Sequence, residues 1–129
     1  MLYAMLLHNR EPEPGEIPDE GMAEMQEAFG AYLSALKSAG VLQAAEILEG
    51  STASTTVTRR SGSLEIQDGP FAETKEALAG VFVLEVPDLD AAIGWAEKCP
   101  AATYGSIEVR PVAITGSSGT WSRPDCPQR

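Results

Sequence analysis

Ionisable side chains are concentrated in one short segment, residues 68–76, which reads DGPFAETKE. Asp68 precedes a Gly-Pro pair, which redirects a chain because glycine tolerates positive φ and proline fixes its own φ. The Asp68 carboxylate could accept backbone N–H groups as an Asx-turn, or it could face a cleft and act as a general base. Glu73 and Lys75 could form a solvated pair that orders the segment. Alternatively, Lys75 binds an anionic group while Glu73 orients it.

His8 is the only histidine of the chain. At the end of an apolar segment it could cap a carbonyl group, or it could serve as the proton partner of Asp68. The chain has no G-x-S-x-G motif, which argues against a hydrolase triad. Cys99 and Cys126 are isolated and lack metal-ligand spacing, so we expect neither a metal site nor a cofactor.

Three predicted strands are each interrupted by a carboxylate, namely Glu46, Glu85 and Glu108. Carboxylates are rarely buried without a partner. If these side chains point away from the helices, they line a dimer cavity in which Arg110 is the natural counter-charge. That arrangement would be either an ion-pair network across an interface or a polar ligand pocket. Two further residues are candidate hydrogen-bond donors at the rim of this cavity: Arg59 and Tyr104.

Hydrophobic periodicity predicts the elements that must position these residues. The predicted strands are residues 2–7, 41–48, 55–60, 63–67, 81–86 and 106–112, and the predicted helices begin at about residues 19 and 88 and end near Gly40 and Pro100. The expected buried stripe of the first helix is Met22, Met25, Phe29, Tyr32, Leu33 and Leu36. In the second helix Asp88 is the expected N-cap, Trp95 lies to one side, and the expected buried stripe is Leu89, Ala92, Ile93 and Ala96.

Without the hairpin of residues 55–67, the order of elements is βαββαβ, which predicts an α+β, ferredoxin-like fold. Both helices then cover one face of an antiparallel sheet. Because residues 2–7 and 81–86 are apolar on both faces, the other face is too apolar to remain in water. We therefore expect a homodimer packed sheet against sheet, with on the order of 800 Å² buried per partner. Residues 1–114 form the domain, and residues 115–129 are expected to be a flexible tail.

The chain has 129 residues, a formal charge of −10 and an apolar fraction of 43%, as expected for one water-soluble domain. Its acidity disfavours nucleic-acid binding. No segment approaches the roughly 18 apolar residues of a membrane span, and the first residues do not form a signal peptide, so a cytoplasmic location is expected. The acidic residues between positions 11 and 27 have no Lys or Arg among them, which is typical of a solvated loop and helix start.

The segment DGPFAETKE resembles the signature of the DGPF-type branch of the YCII-related protein family. The similarity extends to about residue 114 and includes the segments YAMLL (3–7), AGVL (39–42), GVF (80–82), VPDLDAA (86–92) and YGSIEVRPV (104–112). The resemblance implies a dimeric α+β barrel of ferredoxin-like units. Related proteins are thought to use a histidine on the first helix with a nearby aspartate. Here that helix has no histidine, so this mechanism does not transfer directly.

Two functions from different classes are compatible with these residues. The first is a small-molecule site in a cleft of the homodimer, which binds a polar or anionic ligand and performs, at most, isomerase- or lyase-like acid/base chemistry. The second is a non-enzymatic interaction module linked to sigma-factor signalling, in which the acidic segment steers a basic partner. A dimer with a purely structural role is the third alternative.

Overall fold

The computed structural model of the protein describes residues 1–124. The strands are β1 (Leu2–Asn9), β2 (Leu42–Ile47), β3 (Thr55–Thr58), β4 (Glu65–Asp68), β5 (Ala77–Glu85), β6 (Ser106–Pro111), β7 (Thr115–Ser117) and β8 (Thr120–Ser122). The helices are α1 (Asp19–Ser38) and α2 (Leu89–Lys98), and single 3₁₀ turns cover Ser51–Ala53 and Pro100–Thr103.

The main sheet has four antiparallel strands in the order β2-β5-β1-β6. Within residues 1–124, strands β3 and β4 pair only with each other and form the inserted hairpin. Without that insertion, the order of elements and the sheet order are those of a ferredoxin-like βαββαβ unit. The predicted α+β fold is therefore confirmed. Within the single chain the sheet is open and does not close into a barrel.

The core lies between the two helices and one face of the sheet. Alternate residues of β1 and β5 point into it, because successive side chains of a strand point to opposite faces. The buried apolar residues are Tyr3, Met5, Leu7, Tyr32, Leu36, Phe82, Leu84, Val86, Ala92, Cys99 and Ala101. No helix of residues 1–124 covers the opposite face, which we call the open face.

The stripe predicted for α1 is only partly correct. Tyr32 and Leu36 are buried and Phe29 packs against the core, but Met22 and Leu33 are 44% and 40% exposed. The buried positions all belong to the C-terminal half of this 20-residue helix. The N-terminal half therefore lies largely beyond the core.

The stripe predicted for α2 is also partly wrong. Ala92 is fully buried, whereas Leu89 and Ile93 are 48% and 40% exposed. Trp95 packs against the core instead, and the Tyr32 hydroxyl donates a 2.8 Å hydrogen bond to its carbonyl oxygen. The helix is thus turned toward Tyr32. Its predicted N-cap is confirmed, since the Asp88 carboxylate accepts a 2.9 Å hydrogen bond from Ala91 N–H.

Part of the predicted tail has regular structure. Strands β7 and β8 form a two-stranded hairpin in which the ring of Trp121, 72% exposed, lies against Gly116. The last five residues, which include Cys126, are outside the described part of the chain. The domain boundary at 114 and the flexibility of the tail stay predictions.

Candidate functional site

The open face carries the strand carboxylates identified from the sequence. Its centre is apolar and consists of alternate residues of the two middle strands, Leu2, Ala4, Leu6, Val81 and Val83. Glu46 is opposite Val81, Glu85 is opposite Leu2 and Glu108 is opposite Leu6. All three carboxylates therefore lie on the face away from the helices, at the borders of this apolar centre. Glu85 pairs with the amino group of Met1 at 2.7 Å.

His8 lies at one end of the open face, next to Glu108. Its Nε2 atom is shielded from solvent and lies 3.3 Å from Glu108 Oε1. The two atoms are within ion-pair distance, but they are not aligned for a hydrogen bond. Nε2 therefore has no hydrogen-bond partner in residues 1–124. Arg110 donates to the other carboxylate oxygen of Glu108. Arg110 is the main reason that the pKa of Glu108 is below its ordinary value, and His8 adds a smaller effect in the same direction.

A close backbone approach fixes the end of β1 at which His8 lies. A Cβ atom added to Gly105 would overlap the His8 carbonyl oxygen and come within 2.9 Å of Asn9 Cβ. Only glycine leaves room for the backbone here. The segment before β6 can therefore pack directly on the end of β1, which brings Ser106 and Glu108 beside His8.

The segment of residues 68–76 turns sharply after β4. Gly69 has a φ of +93°, its N–H donates to Ser54 O (2.7 Å), and its carbonyl accepts from Thr56 Oγ1 (2.8 Å). Gln67 Nε2 also donates to Pro70 O. The Asx-turn interpretation of Asp68 is wrong, because no N–H group in residues 1–124 donates to its exposed carboxylate. Neighbouring polar groups hold the turn instead.

After this turn the segment forms one wall of a cleft of about 820 Å³ at the His8 end of the open face. Phe71 is 80% exposed and lines this wall, as do Glu73 and Glu76. The opposite wall consists of residues 48–54, and His8 and Leu78 belong to the sheet side. The Ser106 hydroxyl donates to Glu76 Oε1 at 3.4 Å, which links the segment to β6.

Glu11 is a cleft residue that sequence reasoning treated only as part of a solvated acidic segment. Its carboxylate accepts hydrogen bonds from the Ser51 hydroxyl and from Ser51 N–H (2.6 Å). These bonds lower the pKa of Glu11, with the hydroxyl as the larger cause. They connect the loop after β1 to the turn at Ser51–Ala53. The only sequence signal was a glycine and a serine at the start of a polar link.

The two predicted catalytic residues do not share a cleft. His8 lines the larger one, whereas Asp68 lies at the rim of a neighbouring cleft of about 470 Å³. Residues 70–73 line both clefts and separate one cleft from the other. The side chain that approaches His8 is Glu108, not Asp68.

Seven of the eight predicted ligand contacts line neither cleft, and Glu73 is the exception. Lys75 is exposed and lines neither, although Glu73 from the same segment lines both. Arg59 belongs to the turn of the β3–β4 hairpin, where its carbonyl accepts from Gly62 N–H. Tyr104 precedes β6, and burial raises the pKa of its hydroxyl. Arg110 and Glu46 belong to the open face and do not line these clefts.

Residues 1–124 contain neither a group of metal-ligating side chains nor a membrane-spanning helix. Among residues 1–124, no three His, Cys, Asp or Glu side chains are grouped so that they could hold a metal ion. Neither helix of that part of the chain has both the length and the hydrophobicity to cross a bilayer. The cytoplasmic location stays a prediction.

Comparison with known proteins gave two matches. The model of the YCII-related domain matches residues 1–115. An uncharacterised protein of Rhizobium meliloti (strain 1021) is 34% identical over 116 residues, which is 88% of this chain and 94% of that protein.

Proposed function

This chain belongs to the YCII-related family, and we propose that it binds a small polar molecule in the cleft beside His8. We also propose that it belongs to the DGPF-type branch of this family, because residues 68–76 read DGPFAETKE. The single observation that supports binding is the position of His8. It lines a cleft of about 820 Å³ while its Nε2 atom is held against Glu108. This volume is within the range of small-molecule sites, roughly 300–1,000 Å³.

His8 and Glu108 form the proposed proton-transfer pair. A carboxylate beside one ring nitrogen orients the imidazole ring for proton transfer. Because Nε2 is shielded, the solvent-exposed part of the ring lies elsewhere and is available to the cleft. This geometry supports acid/base chemistry of the isomerase or lyase kind. Glu108 takes the role that the sequence suggested for Asp68.

The open face is the proposed homodimer interface. Its apolar centre on β1 and β5 has no cover within residues 1–124, and burying it against a second copy would remove that surface from water. His8 and Leu78 are cross-strand partners on this face and both line the cleft. A second copy on the open face would therefore border the ligand site. The sigma-factor-linked interaction module stays an untested alternative.

Ligand binding is tested by filling the cleft. Backbone amide shifts are recorded while the protein is titrated with pooled polar fragments that include amines, carboxylates and neutral amides. We expect shifts confined to residues 48–54 and 70–78 in the native protein. Ala72→Trp, an exposed cleft position, should abolish them, whereas Ala28→Trp on the exposed side of α1 should not. Unchanged spectra with every fragment class would refute the proposal.

The dimer is tested separately by sedimentation. Leu6→Asp puts a charge at the centre of the open face and should convert a dimer to a monomer. Leu33→Asp, on the exposed part of α1, should leave the dimer intact. Circular dichroism confirms that each variant is folded. A native protein that sediments as a monomer at micromolar concentration would exclude the dimer and leave the binding site to be judged alone.

A further inference from the structure

We propose that the cleft beside His8 selects a ligand with a positively charged group, an ammonium or a guanidinium, joined to a compact apolar part. This inference rests on the proposed function, because it assumes that the cleft is the ligand site. It adds the charge and the shape of the molecule that binds there. It also contradicts the anionic ligand that the sequence suggested.

The charges that line the cleft are all of one sign. Among residues 1–124, four carboxylates and no Lys or Arg side chain line it, so the formal charge of this lining is −4: Glu11, Glu49, Glu73 and Glu76. A concave surface with charges of one sign concentrates the electrostatic field and attracts the opposite charge. The chain as a whole carries −10, which acts in the same direction. A cationic group is therefore favoured and an anionic one repelled.

Two of these carboxylates accept hydrogen bonds from other groups of the protein, and two do not. Glu11 accepts hydrogen bonds from Ser51, and Glu76 accepts one from Ser106. Glu49 and Glu73 have no hydrogen bond or ion pair to any group in residues 1–124. Their oxygens are therefore available as acceptors for the N–H groups of a ligand.

The apolar part of the lining lies among these carboxylates. Phe71 presents an aromatic ring that is 80% exposed, and Leu48, Pro70 and Leu78 complete the apolar surface. The face of an aromatic ring attracts a cation, and the same surface binds hydrocarbon. An amine or guanidine on a small hydrophobic body matches both features.

Two basic residues that the sequence suggested as partners for an anionic group, Arg110 and Lys75, are occupied or located elsewhere. Arg110 donates to Glu108 and does not line the cleft. Lys75 belongs to the segment that forms the wall, but its side chain does not line the cleft either. An anion would therefore meet carboxylates without a counter-charge from the described part of this chain.

The test compares three probes of matched size that differ in charge: benzylamine, benzoate and benzyl alcohol. Backbone amide shifts are followed in the full chain at low and at high salt. We expect benzylamine to shift residues 48–54 and 70–78, with weaker binding at high salt, and benzoate to leave them unchanged. The double variant Glu49→Gln/Glu73→Gln should weaken benzylamine binding about two- to fivefold per carboxylate.

A charge-matched control separates the local effect from the net charge. Glu24→Gln/Glu27→Gln removes the same number of charges from the exposed surface of α1, away from the cleft, and should leave benzylamine binding unchanged. Binding of benzoate in preference to benzylamine would overturn this inference and leave the proposed function standing. Equal weakening by both double variants would also overturn it. Failure of all three probes together with all pooled fragments would instead reject the proposed function.

Discussion

Glu108 Oε1 lies 3.3 Å from His8 Nε2, although the two residues come from opposite ends of the chain. The register of β1 with β6 determines this contact, because His8 is opposite Ser106 and Leu6 is opposite Glu108. His8 and Glu108 are thus diagonal neighbours on one face, and diagonal side chains of antiparallel strands are close enough to touch when they are long. Any change in this register would separate them.

The pKa of Glu108 should respond more to Arg110 than to His8. Arg110 is the largest cause that lowers this pKa, and His8 contributes less. Arg110→Met should therefore raise the Glu108 pKa toward its ordinary value, and His8→Gln should raise it by a smaller amount. The measurement is a carbon-13 NMR titration of the glutamate carboxyl groups. Arg59→Met, in the hairpin turn, is the control, and a larger effect of His8→Gln would contradict the geometry.

Gly105→Ala should destabilise the protein. The added methyl group would overlap the His8 carbonyl oxygen, which is backbone and cannot turn aside. We expect a loss of roughly 1–3 kcal/mol in the free energy of unfolding, as for other overpacked sites. Urea denaturation measures this loss, and NMR shows whether His8 moves away from Glu108.

Gly30→Ala is the matched control for that substitution. Gly30 is an exposed position within α1, and an added Cβ would meet nothing within 4 Å. Alanine in a helix interior is better than glycine by up to about 1 kcal/mol, so this variant should gain stability. Equal losses in both variants would show that the contact at His8 is not the cause.

The sequence was sufficient to predict the α+β fold and the apolar centre of the open face. Residues 2–7 and 81–86 are apolar at both odd and even positions, which is typical of central strands. They form the middle of the sheet as β1 and β5. The prediction of the fold and of this apolar centre needed only local patterns. The face on which Glu108 and Glu85 lie stayed conditional, and the register of β1 with β6 and β5 places both on the uncovered side.

Contacts that depend on two distant loops could not be predicted from such patterns. The hydrogen bonds of Glu11 with Ser51 join two polar segments that have no periodicity. In α2, either the stripe with Ile93 or the one with Trp95 could have been buried, and the position of Tyr32 on another helix decides between them. Likewise, only the path of residues 70–73 separates Asp68 from His8.

Tyr32→Phe should lower stability and change its dependence on alkaline pH. The variant loses the hydrogen bond to the Trp95 carbonyl, which should cost roughly 0.5–1.5 kcal/mol near neutral pH. Burial raises the pKa of Tyr32, so the unfolded chain releases this proton at a lower pH than the folded one. The native protein should therefore lose stability as the pH rises above about 10, and the variant should lose less.

Urea denaturation at neutral pH and above pH 10 measures both effects. Tyr104→Phe is the comparison, because burial also raises the pKa of Tyr104 but its side chain is 44% exposed and donates no comparable hydrogen bond within residues 1–124. It should change stability less at both pH values. A Tyr32→Phe variant as sensitive to alkali as the native protein would contradict the effect of burial.

Glu11→Gln should make the protein less sensitive to acid. Hydrogen bonds from Ser51 lower the pKa of Glu11 in the folded state, so this carboxylate stabilises the fold above its ordinary pKa of about 4.5. That contribution is lost as the pH falls below 4.5 toward the lowered folded value, because the carboxylate becomes protonated. A glutamine does not titrate, so the variant should start from a lower stability at pH 7 and lose less between pH 7 and about pH 3.

Ser51→Ala separates the hydrogen bond from the charge itself. It removes the hydroxyl, the largest cause of the lowered pKa, while Ser51 N–H is replaced by an equivalent backbone donor. Its acid sensitivity should therefore fall between those of the native protein and Glu11→Gln. Glu24→Gln, on the exposed side of α1, is the control for removing one carboxylate. If it reduces acid sensitivity as much as Glu11→Gln, then the net charge, and not the contact between the two loops, governs stability in acid.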